Sequence, residues 1–425
     1  MFNYNISQLE NGITVITENV PHVKSFSLGF WITAGSRDET DAINGISHFI
    51  EHMVFKGTSK RTARKISDEI ESVGGYINAY TSKELTCFYV RGLGKYAEKS
   101  FEVISDMLQN SLFKDNEIKK EANVILEELK DVEDTPEDFI FDKFEEFIYE
   151  GNSLKYPILG NENSIFTFNN EILSAYSKIR YNTNNLLIVA AGAVEHSKIT
   201  EYANKYLSTL HVGQKCKRSP LNLTKHKNVY LNKEIAQIYL LMGKTTVGYT
   251  SEERIKLNIL SNLLGETSSS RLFQRLREKN GISYQINSYL NSFSDISTIG
   301  VFLSTNEKNV EKAYGLITEE FKKLREKPVS KNELNRVKEY LKGSYWMGLE
   351  SMSNRASRMA HSYINFGRIK NADETIMSID NVTIEDIQEL AIRELDEHKM
   401  LKIIAGKKNM LAKIDVENNF EEIQI

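Results

Sequence analysis

The sequence predicts an α+β protein made of two homologous domains, each a mainly antiparallel β-sheet packed with α-helices. Three observations carry this. Strand patterns are grouped ahead of helical ones instead of alternating strictly with them. Short motifs recur in the same order at a nearly constant offset. And 425 residues that are 40% hydrophobic and 26% charged are too apolar for a disordered chain and too long for one small core. The recurrences pair Ile77-Asn78-Ala79-Tyr80 with Ile286-Asn287-Ser288-Tyr289, Asn116-Glu117-Ile118 with Asn332-Glu333-Leu334, and Ala191-Gly192 with Ala405-Gly406, at offsets between 209 and 216. A basic stretch broken by Pro220 lies near the midpoint, so the expected division is a domain over 1–212, a linker over 213–228 and a second domain over 229–425.

Within the first copy, residues 12–18 and 24–33 alternate apolar with polar or small residues, after the turn signals Asn11-Gly12 and Pro21-His22. They are expected to pair as a first hairpin. Residues 45–55 and 63–73 have helical spacing, the second with Thr62 as N-cap and Gly74-Gly75 as its stop. Two strands follow, over 76–82 and 85–92, and then helical stretches over 96–110 and 115–149. The run Leu186 to Val194 is apolar or small throughout, as in a buried strand.

That run is the longest of its kind and falls well short of the roughly 18–20 residues a membrane-crossing helix needs. A net charge of −4 gives no global basic field for nucleic acid. Two cysteines, Cys87 and Cys216, make no disulfide framework, and the start MFNYNISQLE lacks the basic-then-apolar order of a secretory signal. A soluble, reduced, cytoplasmic protein with neither membrane nor nucleic-acid partner is expected.

The residues that carry chemistry stand in Gly45-Ile46-Ser47-His48-Phe49-Ile50-Glu51-His52-Met53. Positions i, i+3 and i+4 share one helix face, so His48, Glu51 and His52 converge while Phe49, Ile50 and Met53 pack elsewhere. With eight histidines in the chain, a chance H-x-x-E-H has an expected count of order ~0.01, and two imidazoles with a carboxylate suggest zinc. Hydrolytic zinc needs three protein ligands and an open position. Carboxylates that could complete the set are Glu121, Glu127 and Glu128. Glu121 and Glu128 stand seven residues apart, two turns along one face, and of the adjacent pair Glu127-Glu128 only one can face a metal.

The chain resembles, over its whole length, the pitrilysin or insulinase-like zinc peptidases, the inverzincins, and in particular their short processing-peptidase-like members. His48-Phe-Ile-Glu-His-Met-Val-Phe-Lys-Gly-Thr58 has the family's form of the inverted zinc motif, and Glu128 follows His52 by 76 positions in a Val-Ile-Leu-Glu-Glu context. The resemblance implies that His48, His52 and Glu128 hold zinc, that Glu51 is the base, and that Glu121 is a supporting acidic residue. The Gly151 to Gly160 segment is similar to the family's Gly/Pro loop. Ser268 to Tyr284 is similar to the segment in which the family has an Arg and a Tyr that assist catalysis, here Arg277 and Tyr284. The family's glycine run before it is reduced to Gly265. Lys256, Ile259 and Leu260 stand opposite His48, Glu51 and His52, so one zinc per chain is expected.

The implied activity is zinc-dependent endopeptidase action on short or unfolded peptides held extended against an edge strand carrying Asn78, Ala79 and Tyr80. From Glu127 to Glu150 there are eleven acidic residues against Lys130 and Lys143, a field that would favour basic, presequence-like peptides. A chain of this length resembles half of the family's clamshell. A homodimer follows, with Arg277 and Tyr284 of one subunit reaching the zinc of the other inside a closed chamber. The alternatives are the catalytic subunit of a heterodimer with an inactive paralogue, and a non-catalytic structural subunit.

Overall fold

The structure is a computed structural model and describes residues 4–218, 221–223, 227–407 and 420–424. Part of the expected linker, residues 219–220 and 224–226, therefore lies outside the described residues. The first half runs β1 (Tyr4–Gln8), β2 (Thr14–Asn19), β3 (Ser25–Ile32), α1 (Ile46–Val54), α2 (Ala63–Glu71), β4 (Tyr76–Thr81) and β5 (Thr86–Leu93). It continues through α3 (Ala97–Asn110), α4 (Asp115–Asp134), α5 (Pro136–Ile148), α6 (Glu162–Ile165), α7 (Asn170–Arg180), β6 (Leu186–Gly192) and α8 (His196–Tyr206). The second half runs β7 (Asn228–Asn232), β8 (Ile238–Val247), α9 (Arg254–Ser261), β9 (Gln285–Ser292), β10 (Ile296–Thr305) and α10 (Val310–Glu326). After these come α11 (Lys331–Gly348), α12 (Met352–Phe366), α13 (Ala372–Asp380), α14 (Ile384–Glu394), β11 (Leu401–Gly406) and β12 (Phe420–Gln424).

Among the described residues two six-stranded sheets result, in the orders β1-β2-β6-β3-β5-β4 and β12-β7-β11-β8-β10-β9. Both are mainly antiparallel, with β2–β6 and β7–β11 as corresponding parallel pairs. The internal repeat extends to register. Tyr76 stands opposite Arg91 and Gln285 opposite Ser304; Ala79 stands opposite Phe88 and Ser288 opposite Val301. The sheets part company at one edge, where β1 is antiparallel to β2 but β12 is parallel to β7.

Two local expectations are corrected. Residues 12–18 and 24–33 form β2 and β3 but do not pair as a hairpin, because β6 lies between them. Alternation identifies a strand and not its partner. β6 is buried at every residue, which demands a central position with both faces covered. The hairpin that does form joins β1 to β2. The helical stretch 115–149 is likewise two helices. Pro136 occupies the first turn of α5, where its missing N–H costs nothing, whereas inside a continuous helix its ring would clash with the preceding turn.

The chain divides into two compact units that are not continuous stretches. One comprises Met1–Asp131, Gly151–Asn222 and Trp346–Lys370, and the other Val132–Glu150, Leu223–Tyr345 and Asn371–Ile425. The division at Asn222/Leu223 falls inside the 213–228 segment, but a single cut there does not describe the units. α5 is built into the second and packs on β8 and β11, while α12 is built into the first and packs on β2, β3 and β6. In the first unit, Phe26, Leu28, Phe30, Leu186, Ile188 and Ala190 face one core with α1 and α3. Trp31, Leu187, Val189 and Ala191 face the other way, onto Ala356, Met359 and Ala360 of α12. A sheet apolar on both faces explains why the Leu186 to Val194 run shows no alternation.

Candidate metal centre and active site

The site is built on α1, whose apolar residues Ile46, Phe49, Ile50, Met53 and Val54 are buried in the core of the first unit. The helix starts at Gly45, which has φ of 91° and lies so close to the 151–160 loop that a Cβ there would come within 2.7 Å of the Leu159 carbonyl oxygen. Glu39, which is buried, anchors this start. Its Oε2 accepts from the Gly45 N–H at 2.7 Å and from Asn44 Nδ2 at 3.0 Å, and its Oε1 accepts from the Ser47 N–H at 2.9 Å. A carboxylate at a helix N-terminus satisfies orphan donors and complements the helix dipole.

On the opposite face of α1 the imidazoles of His48 and His52 lie with ring centroids 4.5 Å apart. Glu128 of α4 meets them, its Oε2 at 3.8 Å from His48 Nε2 and 3.7 Å from His52 Nε2. One ligand atom from each of the three residues lies within 4.8 Å of the others, the one such group found among the described residues. Ligand atoms held at ~2.1 Å around tetrahedral zinc stand about 3.4 Å apart, so the Glu128 contacts at 3.8 and 3.7 Å are close to that spacing and the group as a whole draws in to fit the ion.

The two histidines differ in protonation. Burial, reinforced by the neighbouring His52, presses His48 down to a pKa of about 3, which keeps it a neutral donor. For His52 burial also opposes the charge, but the hydrogen bond it donates to Glu121 and the charges of Glu128, Glu121 and Glu51 outweigh it and raise the pKa. Glu121 Oε1 lies 2.8 Å from His52 Nδ1 and its Oε2 lies 2.6 Å from Lys56 Nζ. That contact puts the His52 proton on Nδ1 and leaves Nε2 for a metal. Burial works against ionisation of Glu121, yet His52 and Lys56 hold its pKa below the ordinary carboxylate range.

Glu51, one turn after His48 and next to His52, is 9% exposed. Burial raises its pKa, partly offset by the Thr81 hydroxyl and His52. Such a carboxyl holds a proton more readily than an exposed one does. Thr81 Oγ1 donates to Glu51 Oε2 at 2.5 Å. Thr81 ends β4, an edge strand that pairs only with β5 among the described strands. On that edge Tyr76, Asn78 and Tyr80 are exposed, and Asn78 Oδ1 accepts from the Ala79 N–H at 2.9 Å. Asn78, Ala79 and Tyr80 thus sit on the strand that borders α1.

Arg277 and Tyr284 belong to the second unit and are brought together there, the guanidinium 5.4 Å from the Tyr284 ring centroid. They line a cleft of about 690 Å³ along β9 with Gly265, Glu266 and Phe273. Tyr284 is 78% exposed. Gly265 backs this cleft because a Cβ would come within 2.3 Å of the Ser288 nitrogen. Three residues around the candidate metal site were not singled out in the sequence: Glu39, Lys56 and Thr81. Lys56 stands four residues after His52, and Thr81 shares the Ala79 side of an alternating strand, so spacing carried a signal for both. Glu39 precedes its helix across a loop and left none.

Two family models match the chain: the insulinase family, peptidase family M16, over residues 14–162, and the peptidase M16 inactive domain over residues 167–341. An uncharacterized zinc protease of Rickettsia felis is 36% identical over 386 residues, spanning 91% of this chain and 93% of that protein. The Bacillus subtilis zinc protease YmxG is 35% identical over 401 residues, or 94% and 98% of the two chains. A protease from Helicobacter pylori has the same fold, with a TM-score of 0.88 at 20% identity over 96% of this chain and all of that one. No helix among the described residues is long and apolar enough to cross a membrane. With the first family model spanning α1 and α4, and relatives matched over nine-tenths of its length, the chain belongs to the insulinase family, peptidase family M16, and is a zinc protease.

Proposed function

We propose that the chain is an endopeptidase that cuts short or unfolded, basic peptides as a cytoplasmic homodimer, with one zinc per chain held by His48, His52 and Glu128. The observation that carries this is the approach of those three residues' ligand atoms to within 4.8 Å of one another, with Glu51 on the same helix. Bound there, zinc would supply the Lewis acidity that polarises a scissile carbonyl and acidifies water. Glu51 takes the proton from water and returns it to the leaving amine, a task suited to a carboxyl whose proton affinity burial has raised. Glu121 holds His52 in its donor tautomer.

The peptide lies extended along β4 and pairs with the backbone at Asn78, Ala79 and Tyr80, displacing the Asn78 side chain from the Ala79 N–H. The exposed rings of Tyr76 and Tyr80 offer apolar walls to its side chains. Eleven acidic residues between Glu127 and Glu150, with only Lys130 and Lys143 paired among them, favour basic peptides. Arg277 and Tyr284 supply donors to the oxyanion of the tetrahedral intermediate across the dimer interface. The free thiols Cys87 and Cys216 suit a reducing compartment.

Co-expression of two separately inactive variants tests the dimer. Glu51→Gln and Arg277→Ala chains that associate at random form mixed dimers with one complete site, so about a quarter of wild-type activity returns. If each chain used its own Arg277, every mixture would stay inactive, and the trans arrangement would be wrong.

A further inference from the structure

The hydroxyl of Thr81 joins two parts of the site that the activity uses separately, the proton-transferring carboxylate and the edge strand. We propose that Thr81 is a positioning residue: it holds the Glu51 carboxylate in register with the strand that receives the peptide. The inference rests on the peptidase reading above.

Along β4 the side chains alternate, with Tyr76, Asn78 and Tyr80 exposed and Ile77, Ala79 and Thr81 on the half-buried side, where Ile77 and Ala79 pack against the core that contains α1. Thr81 is the member of that row that reaches Glu51, at 2.5 Å from Oε2. A charge-assisted bond this short fixes the carboxylate's rotation and leaves Oε1 without a hydrogen-bond partner among the described residues, available to a water. The anchor is itself rigid. Thr81 stands opposite Thr86 at the end of the β4–β5 ladder, and the turn beyond is closed by Ser82 N–H to the Leu85 carbonyl at 2.7 Å and by the Ser82 hydroxyl at 3.0 Å. Lys83 in that turn donates to the carbonyls of Leu154 and Tyr156 at 3.1 and 2.7 Å, which ties the hairpin tip to the 151–160 loop. A branched Cβ leaves the threonine few rotamers. Glu51 is thereby held from the strand as well as from its own helix, and a peptide paired to β4 and the base share one frame.

The test compares wild type, Glu51→Gln, Thr81→Val and Thr81→Ser on one unstructured basic peptide, with zinc affinity measured on each by competition against a chelating dye. Valine keeps the shape and strand preference of threonine and removes only the donor. The expected result is a kcat about 10- to 100-fold lower in Thr81→Val, the scale on which misplacing a reacting group acts, with KM and zinc affinity unchanged and Thr81→Ser close to wild type. Wild-type kcat in Thr81→Val overturns the inference. So does a loss that comes with weakened zinc binding or that serine does not restore, since either marks damage to the strand instead of to the base. An inactive wild type sinks the peptidase reading itself and this inference with it, and is distinguishable because all four proteins then behave alike.

Discussion

Replacing Glu121 tests whether the proposed metal site needs the carboxylate that hydrogen-bonds to His52. Both of its oxygens are committed, Oε1 to His52 Nδ1 at 2.8 Å and Oε2 to Lys56 Nζ at 2.6 Å. Glutamine has one acceptor. If its oxygen turns to His52, its amide N–H₂ faces the Lys56 ammonium; if it turns to Lys56, the amide meets the Nδ1 proton of His52. One bond is lost either way, and Lys56, whose side chain is 32% exposed, can swing to water at modest cost. Alanine loses both bonds and leaves His52 free to rotate and to change tautomer. Loss of such an outer partner weakens metal binding about 10- to 100-fold, or about 1.4–2.7 kcal/mol. The expected order of zinc affinity is wild type, then Glu121→Gln, then Glu121→Ala, with alanine at the full loss. The assay is competition against a chelator of known affinity at neutral pH, with a thermal melt of the metal-free proteins beside it. Wild-type affinity in a folded Glu121→Ala protein would refute the reasoning, because His52 would then need no orienting partner.

Other consequences concern the frame around the site. Arg61 is buried among Glu69, Glu102 and Asp106, with contacts of 2.9, 2.6 and 2.8 Å, so Arg61→Ala strands carboxylates and should cost about 3–5 kcal/mol, read by chemical denaturation. Burial opposes ionisation of Asp106 and Glu69, but Thr58 and Arg61 for the first, and Lys99 and Arg61 for the second, hold both pKa values down. Groups with depressed folded-state values stabilise fully above their unfolded values of about 3.9 and 4.3 and lose that contribution as pH falls through the folded ones. The melting temperature of wild type should therefore drop as pH falls below about 4, and that acid-dependent drop should shrink in Arg61→Ala. Gly45→Ala places a side chain at φ of 91° and within 2.7 Å of the Leu159 oxygen. Left-handed strain of about 1–2 kcal/mol and overpacking of about 1–3 kcal/mol should lower the melting temperature and weaken zinc binding together. A variant as stable as wild type would show that the start of α1 tolerates a side chain.

The chemistry was more legible than the frame that holds it. His48, Glu51 and His52 are close in sequence and set by one helical period, so their convergence follows from spacing alone. Glu128 lies on a different helix, and the residues by themselves left Glu121, Glu127 and Glu128 all open. The structure distinguishes them: Glu128 meets the histidines, Glu121 stands behind His52, and Glu127 pairs with Lys130. The repeat could be read because β4 and β9 kept a four-residue likeness, and it reaches register at Ala79 and Ser288. Long-range pairing left no local trace. Nothing in residues 12–33 says that a strand more than 150 residues later will come between them, and nothing in α5 or α12 says which sheet it will cover. Glu39 left no trace for the same reason, since its role exists only across a loop, whereas the alternation of β4 places Thr81 on the Ala79 side but does not show that it reaches Glu51.

The central claim is that Glu51 performs proton transfer beside a zinc it does not hold. Its most direct test is cleavage of an unstructured basic peptide by wild type and by Glu51→Gln, with bound zinc measured on both. The account predicts equal zinc in the two proteins and a cleavage rate about 10²- to 10⁴-fold lower in the variant, the usual contribution of a positioned acid–base group. Undiminished cleavage by a zinc-loaded Glu51→Gln protein would contradict it.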